Sequence, residues 1–414
     1  MDAADPDPLP GTSWPSAPVY DFTVARLVTS THAGSSFFRS ARWTSDGTAI
    51  LTTAEDRALR VHDLFAQHNF RADRRAHEED DVTLTNSRTF PQPDSVNAAL
   101  WYPSASRLAP ETFCFVASVR DAPVRLIDGT DGRLRASYPI VDHRERFIAP
   151  HSFAFNPSAD KLYCGFENAI EVFDVASPGY DNGERLKLGL TRKEKGGQRG
   201  IISALAFSPH QLSTFAAGSF AGSVVLYDED TGSPSMPVEG VEGGGVTQIA
   251  FHPLDSNLFF VASRRSQAIQ VFDMRDVSAP VGRLERSAST NQRIAFDLDP
   301  WGRWLAAGDE HGIVRVWDVA SSSYDMLFER ELHADAANSV QFHAYRPLFL
   351  TCAGSRAHLQ TPAEPSEDMA ADPMSNESNE SDVSDDDGEE EGDSFVHERG
   401  AKDARLAVWE FGKL

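Results

Sequence analysis

Ten basic residues fall where they could neutralise phosphate. Four crowd into "TRKEKGGQRG": Arg192, Lys193, Lys195 and Arg199, interleaved with Gly196, Gly197 and Gly200. Such cations would screen a nucleic-acid backbone, and glycines without a Cβ would let the main chain approach it closely. Arg57, Arg120, Arg264, Arg265 and Arg356 sit at short breaks after apolar runs, and Arg293 opens another run. The plain alternative is a solvated polar rim, because charged residues in loops are ordinary.

Other chemistry finds no support in residue spacing. No GxxxxGK occurs, "GGG" at 243–245 is followed by no helix, and no HExxH or Cys/His set has ligand spacing. His151, His252 and His343 recur at equivalent or nearby entry points of a repeated pattern, and read as polar anchors in turns. Cys114, Cys164 and Cys352 each lie in an apolar run. They are expected as buried, reduced thiols, which suits a reducing compartment. No enzyme activity, cofactor or metal is expected.

Bringing scattered cations to one surface requires a repeating element. "TNQRIAFDLDPWGRWLAAGDEHGIVRVWD" (Thr290 to Asp318) holds three apolar runs divided by turns and closes on Trp-Asp. The pattern also closes at Asp63, Asp128, Asp174, Asp228 and Asp273. A split copy begins at "NSVQFHAYRPLFLTCAG" and finishes with "RLAVWE" at Glu410. From Asp128 to Asp318 the closing positions lie 46, 54, 45 and 45 residues apart, and the final gap is 92. A period of ~40–45 residues belongs to four-stranded propeller blades. Seven copies predict an all-β, seven-bladed WD40-type β-propeller.

One blade cannot stand alone. In "IVRVWD", Val314 and Val316 share one face while Ile313, Arg315 and Trp317 share the other, so both faces need neighbours. Ring closure is expected from "PVYDFTVARLV" (Pro18–Val28) as the outer strand of the last blade, beside Leu406–Trp409. On this plan, turns between second and third strands share one rim with the loops entering each blade, and the ten cations gather there. A turn Asp fits at Asp56. The matching positions elsewhere are Ala221, Ser266 and His311, which leaves more of the stability to strand packing.

The net charge of −24 is unevenly placed. Residues 361–393 hold 14 acidic residues and no Lys or Arg, so the remainder carries −10. That stretch has too few apolar residues to fold, and a disordered acidic insertion is expected at about 357–403 in the last blade. A disordered acidic, Pro-rich tail is expected at 1–17, with a single propeller over 18–414. Ser384 precedes three Asp residues and is a candidate phosphorylation site. The insertion would emerge beside the basic rim, either masking it or serving only as a solubilising loop. No run of 18 apolar residues exists, so no membrane span is expected.

Four stretches together resemble the telomerase Cajal body protein family: "ARWTSDGTAILTTAEDRALRVHDL" (41–64), "HSFAFNPSADKLYCGFENAIEVFDVASPGYD" (151–181), "GQRGIISALAFSP" (197–209) and "TNQRIAFDLDPWGRWLAAG" (290–308). The resemblance covers about 37–354 and 404–410. It implies an RNA-binding scaffold for small Cajal-body and telomerase RNAs, working with box H/ACA ribonucleoprotein proteins in the nucleus. It also implies folding with help from the cytosolic chaperonin. Within the matching stretches Arg192, Lys193, Lys195, Arg199 and Arg293 become the favoured RNA contacts, by charge and position. The acidic insertion and the short N-terminal tail depart from the family pattern.

Two alternatives stay open. One is a splicing-linked factor for spliceosomal small nuclear particles. The other is a protein-only adaptor such as a ubiquitin-ligase substrate receptor, for which "VFDMRD" (Val271–Asp276) offers an Asp-x-Arg ending. The expected state is a monomer within a larger particle. The expected compartment is the nucleus, with Cajal bodies inside it and the cytoplasm as second choice.

Overall fold

A computed structural model of the chain describes residues 17–34, 36–66, 82–180, 182–188, 197–211, 213–356 and 403–412. Apart from Ala17 and Asp403, the expected tail and acidic insertion, with Ser384, lie outside these residues. The described residues are all-β. Strands form where β-branched and aromatic residues alternate, as at Phe259, Phe260 and Val261, all buried. They stop where turn chemistry intervenes. In "TSDGT", Asp46 Oδ1 accepts hydrogen bonds from Thr44 Oγ1 (2.6 Å) and the Thr48 amide (3.0 Å), and Gly47 takes φ 71°. A Cβ on Gly47 would collide with the His343 ring of the neighbouring sheet.

Seven four-stranded antiparallel sheets result. Blade 1 spans 38–91, blade 2 96–138, blade 3 152–187, blade 4 202–238, blade 5 245–288 and blade 6 296–331. Blade 7 combines 337–342, 348–353 and 405–410 with the N-terminal strand 26–32. The core is seven separate apolar clusters, one at each blade interface. Between blades 5 and 6, for example, Phe260, Ile269 and Val271 pack on Phe296, Leu305 and Trp317. The ring therefore stands or falls by its interfaces.

Each interface also carries a hydrogen bond near the channel. Arg39 donates to Val96 O (2.9 Å), Asn97 to Ala149 O (3.4 Å), Ser152 to Ile202 O (2.8 Å) and Ser203 to Val246 O (2.6 Å). Gln248 donates to Phe296 O (2.7 Å), the Ala295 amide to Asn338 O (2.8 Å), and Asn338 Nδ2 to Phe38 O (2.9 Å). In five inner strands the ladder slips by one residue at this level, at Arg39, Asn97, Ser203, Thr247 and Asn338. A bulge leaves its extra residue unpaired and re-aims the side chain. Four of those five side chains bond the blade that follows.

The N-terminal strand closes the ring, as expected, but it runs from Arg26 to His32 and pairs Arg26 with Glu410 through His32 with Arg405. The aromatic half of "PVYDFTVARLV" does other work. Tyr20 packs edge-on against Trp304 (5.3 Å) and Phe342 (5.6 Å) and donates to Leu348 O (3.0 Å). Phe22 lies 5.0 Å from Trp304. Aromatic residues read as strand formers, yet here they bury more by tucking under blades 6 and 7.

Two further expectations shift. In blade 6 the turn Asp is Asp309, two positions before His311; it is buried, accepts the Ile313 amide (2.9 Å) and holds Arg315 (2.7 Å). In blade 7 it is Asp403, two residues ahead of the third strand, at the end of the interval expected as the insertion. Asp403 binds His333 Nδ1 (3.1 Å), His333 Nε2 meets Thr351 Oγ1 (2.7 Å), and Trp409 donates to the same hydroxyl (2.8 Å). Burial alone would raise Asp403, but His333 and Arg405 pull it far below the usual carboxylate range. His252 and His343 do not sit at blade entries. They anchor the turns after the inner strands of blades 5 and 7, where each Nδ1 accepts two amides, from Leu254 and Asp255 and from Tyr345 and Arg346.

Candidate nucleic-acid interface

The inner strands surround a central channel of about 910 Å³. At one end of it, each second-to-third-strand turn is stitched to a blade-entry loop. The Arg120 amide donates to Ser95 O (3.1 Å), Phe220 to Ile201 O (2.9 Å), Arg265 to Thr290 O (3.3 Å) and Gly354 to Ala336 O (2.9 Å). Both loop sets therefore share one rim.

The cations divide into two groups there. Arg57, Arg120, Arg199 and Arg265 are exposed on the rim, outside the channel lining. Arg264, Arg293 and Arg356 line the channel. Arg192, Lys193 and Lys195 lie outside the described residues. The structure adds Arg39 and Arg42 to the channel, neither of which the sequence pattern singled out. Both belong to "FRSARW", the inner strand of blade 1, whose bulge breaks the alternation that would have shown which side chains face inward.

Arg264 and Arg293 flank one aromatic ring, with their guanidinium carbons 3.9 and 5.2 Å from the Phe220 centroid. Arg293 also crosses the channel from blade 6. Its Nη2 donates to His151 O (3.1 Å) in the entry to blade 3 and reaches Ser203 O (3.4 Å) in blade 4. The carboxylates nearby do not balance this charge. Glu55 is shared by Arg39 (3.5 Å) and Arg356 (2.6 Å). Asp297 is pushed up to about 7 by burial, against the Phe342 amide and Arg42, which pull it down. Arg42, Arg264 and Arg293 have no ion pair among the described residues.

Arg42 is open to channel water yet ringed by protein, so burial lowers its pKa, with Asp297 pulling the other way. Arg293 is lowered to about 10 by burial and by repulsion from Arg264, Arg39 and Arg42. His151 is lowered to about 4 by burial and by Arg293 and Arg264, so it is neutral at physiological pH.

Rim backbone geometry adds a second signal. Arg57 and Arg265 hold φ of 63° and 52°, left-handed values met at the corresponding turns of blades 4 and 6 by Gly222 and Gly312. A long side chain there costs about 1 kcal/mol in backbone strain. Arginine is kept at two places where glycine would sit free of it, and strain of this kind collects at functional positions.

Among the described residues no group of three or more His, Cys, Asp or Glu could hold a metal. All three cysteines are buried, and burial raises each thiol. No described helix is long and apolar enough to cross a membrane. In "VFDMRD", Arg275 is tied to Asp273 (Nη2 to Oδ2, 2.5 Å) on the opposite rim.

The WD domain, G-beta repeat model matches residues 283–318, within blades 5 and 6. Telomerase Cajal body protein 1 of Homo sapiens is 35% identical over 77% of this chain and 57% of its own length; that of Mus musculus is 34% identical over 77% and 59%. The chain thus spans under three fifths of the human and mouse proteins. Guanine nucleotide-binding protein negative regulator 1 of Schizosaccharomyces pombe is 30% identical over 68% of this chain and 70% of its own length. With seven repeats closed into one ring and relatives of this closeness, the chain belongs to the telomerase Cajal body protein family of WD-repeat proteins.

Proposed function

We propose that this protein is a non-enzymatic RNA-binding scaffold for small nuclear and Cajal-body ribonucleoproteins, telomerase RNA among them, with the entry rim as the RNA-facing surface. The observation that carries this reading is the set of arginines that have no ion pair among the described residues, on the entry rim and in the channel of an acidic chain. Single-stranded loops suit such a surface, because their phosphates meet fixed guanidinium groups and their bases are free to stack. The name of the mammalian relatives supports the telomerase and Cajal-body part, and with it a nuclear location; partnership with box H/ACA proteins is part of the proposal.

Crosslinking in cells and sequencing of bound RNA tests it. Enrichment of Cajal-body guide RNAs or telomerase RNA is the expected result. Spliceosomal RNAs alone would favour the splicing-linked reading. Absence of RNA above background would favour a protein-only adaptor, the reading suggested by the name of the fission-yeast relative. In vitro, replacing Arg192, Lys193, Lys195 and Arg199 with Ala should flatten the slope of log K against log salt by roughly 2–3, at ~0.7 per lost phosphate contact. An unchanged slope would remove that loop from the interface.

A further inference from the structure

We infer that the central channel receives, through its entry end, one phosphate-bearing unit, a nucleotide of single-stranded RNA turned out of its stack, held by Arg39 and Arg264 beside the ring of Phe220, with Arg42 deeper in the channel. The inference rests on the RNA reading and deepens it from a surface to a pocket. Four observations converge on it.

The first is space. The channel volume of about 910 Å³ lies in the ~300–1,000 Å³ range of small-ligand sites. The second is charge. Five guanidinium groups, those of Arg39, Arg42, Arg264, Arg293 and Arg356, line the channel against Glu55 and Asp297. Glu55 is already shared by two of them, and Asp297 is driven towards its neutral form. Like charges confined without counterions repel, and an entering phosphate would relieve that repulsion.

The third is unspent hydrogen-bonding capacity. Arg264 Nε is buried without a partner, and the Arg42 guanidinium makes no hydrogen bond among the described residues. The fourth is a place for a base. Phe220 and the uncharged ring of His151 stand 6.2 Å apart beside these arginines, and the exposed Asn291 amide lines the same mouth. Ring faces and amides are what unstacked bases meet in single-strand recognition. Arg293, already bonded across the channel and 5.2 Å from the Phe220 ring, acts as a positioning residue for that ring rather than closing on the ligand.

The test uses the full-length protein with two probes, a fluorescent single-stranded oligouridine and inorganic tripolyphosphate. The variants are R42Q and R264Q, with R120Q as a rim control, and thermal melting checks that each folds. Wild type should gain melting temperature with tripolyphosphate, and both channel variants should lose that gain. Tripolyphosphate should displace the oligonucleotide, and R264Q should weaken RNA binding at least tenfold while R120Q changes it only a few-fold. With 4-thiouridine in the RNA, photocrosslinks on wild type should map to peptides containing Phe220 or His151, a readout that needs no variant to fold.

If RNA binds but ignores R42Q, R264Q and tripolyphosphate, and crosslinks stay on the outer rim, the pocket is overturned while the RNA reading stands. If tripolyphosphate acts through the channel arginines but RNA does not bind, the nucleotide is overturned as the source of the phosphate, and the RNA reading falls with it.

Discussion

The two rims of the ring treat arginine differently. On the rim opposite the entry loops several guanidinium groups grip carboxylates. Arg303 grips buried Asp299 through Nε (2.7 Å) and Nη2 (3.2 Å), Arg135 grips Asp128 through Nε (3.0 Å) and Nη2 (2.7 Å), and Arg88 meets buried Asp63. Burial alone would raise Asp128, yet the Thr130 amide and Arg135 bring it below the usual range. On the entry rim Arg57, Arg120, Arg199, Arg264, Arg265 and Arg293, and within the channel Arg42, have no ion pair among the described residues, and two of them strain the backbone. Paired arginines hold the turns of the fold. The unpaired ones hold no turn by an ion pair among the described residues, and on the proposed reading they serve the RNA.

That contrast can be broken in several ways. The largest effect belongs to the paired rim. Asp299→Ala strands Arg303 and should lower stability by about 3 kcal/mol in urea unfolding, leaving the RNA affinity of the folded fraction unchanged. A loss of RNA binding with intact stability would invert the contrast.

Acid comes next and reaches both rims. His151 at the channel mouth and His343 on the opposite rim are each held near 4 by burial. Unfolded, each titrates near ~6.5, so between those values the unfolded chain binds more protons. Stability should be full above pH ~6.5 and fall steadily towards pH 4. His343→Asn should flatten this dependence, and a urea midpoint that stays level from pH 7 to 5 would contradict the burial of these rings.

Arg265→Gly separates the two roles most sharply. Relief of the left-handed strain should raise stability by about 0.5 kcal/mol, the remainder being offset by glycine's greater freedom when unfolded. RNA binding should weaken in the same variant. Gains in both would show that the residue has no ligand. The smallest effect is expected at Arg275, whose pair with Asp273 is exposed. Arg275→Ala should stay within ~0.5 kcal/mol and leave RNA binding alone.

The ring itself was legible because its period is carried by residues that end strands. Asp128, Asp174, Asp228, Asp273 and Asp318 close third strands in successive blades, and that spacing survives loop insertions. The rim arginines were legible too, since turn position follows from the same period. What stayed hidden depended on local geometry. Arg39 and Arg42 face the channel because of a bulge that no alternation pattern reports. Asp309 stands where blade 1 has Ala54, two places before the expected position in a turn of the same span, and Asp403 stood beyond the acidic interval that splits blade 7. Tyr20 and Phe22 carry the composition of a strand, and only the cavity beneath blades 6 and 7 decides that they pack instead.

The composite seventh sheet has a consequence in time. Synthesis delivers residues 26–32 first and their hydrogen-bonding edge at 405–410 only after the six other sheets exist. Throughout translation the earliest strand is an unsatisfied edge, free to join whichever β-ladder it meets first, including that of a neighbouring nascent chain. Yield of this protein should therefore be set at the ribosome's exit, by whatever keeps that strand idle until its partner emerges.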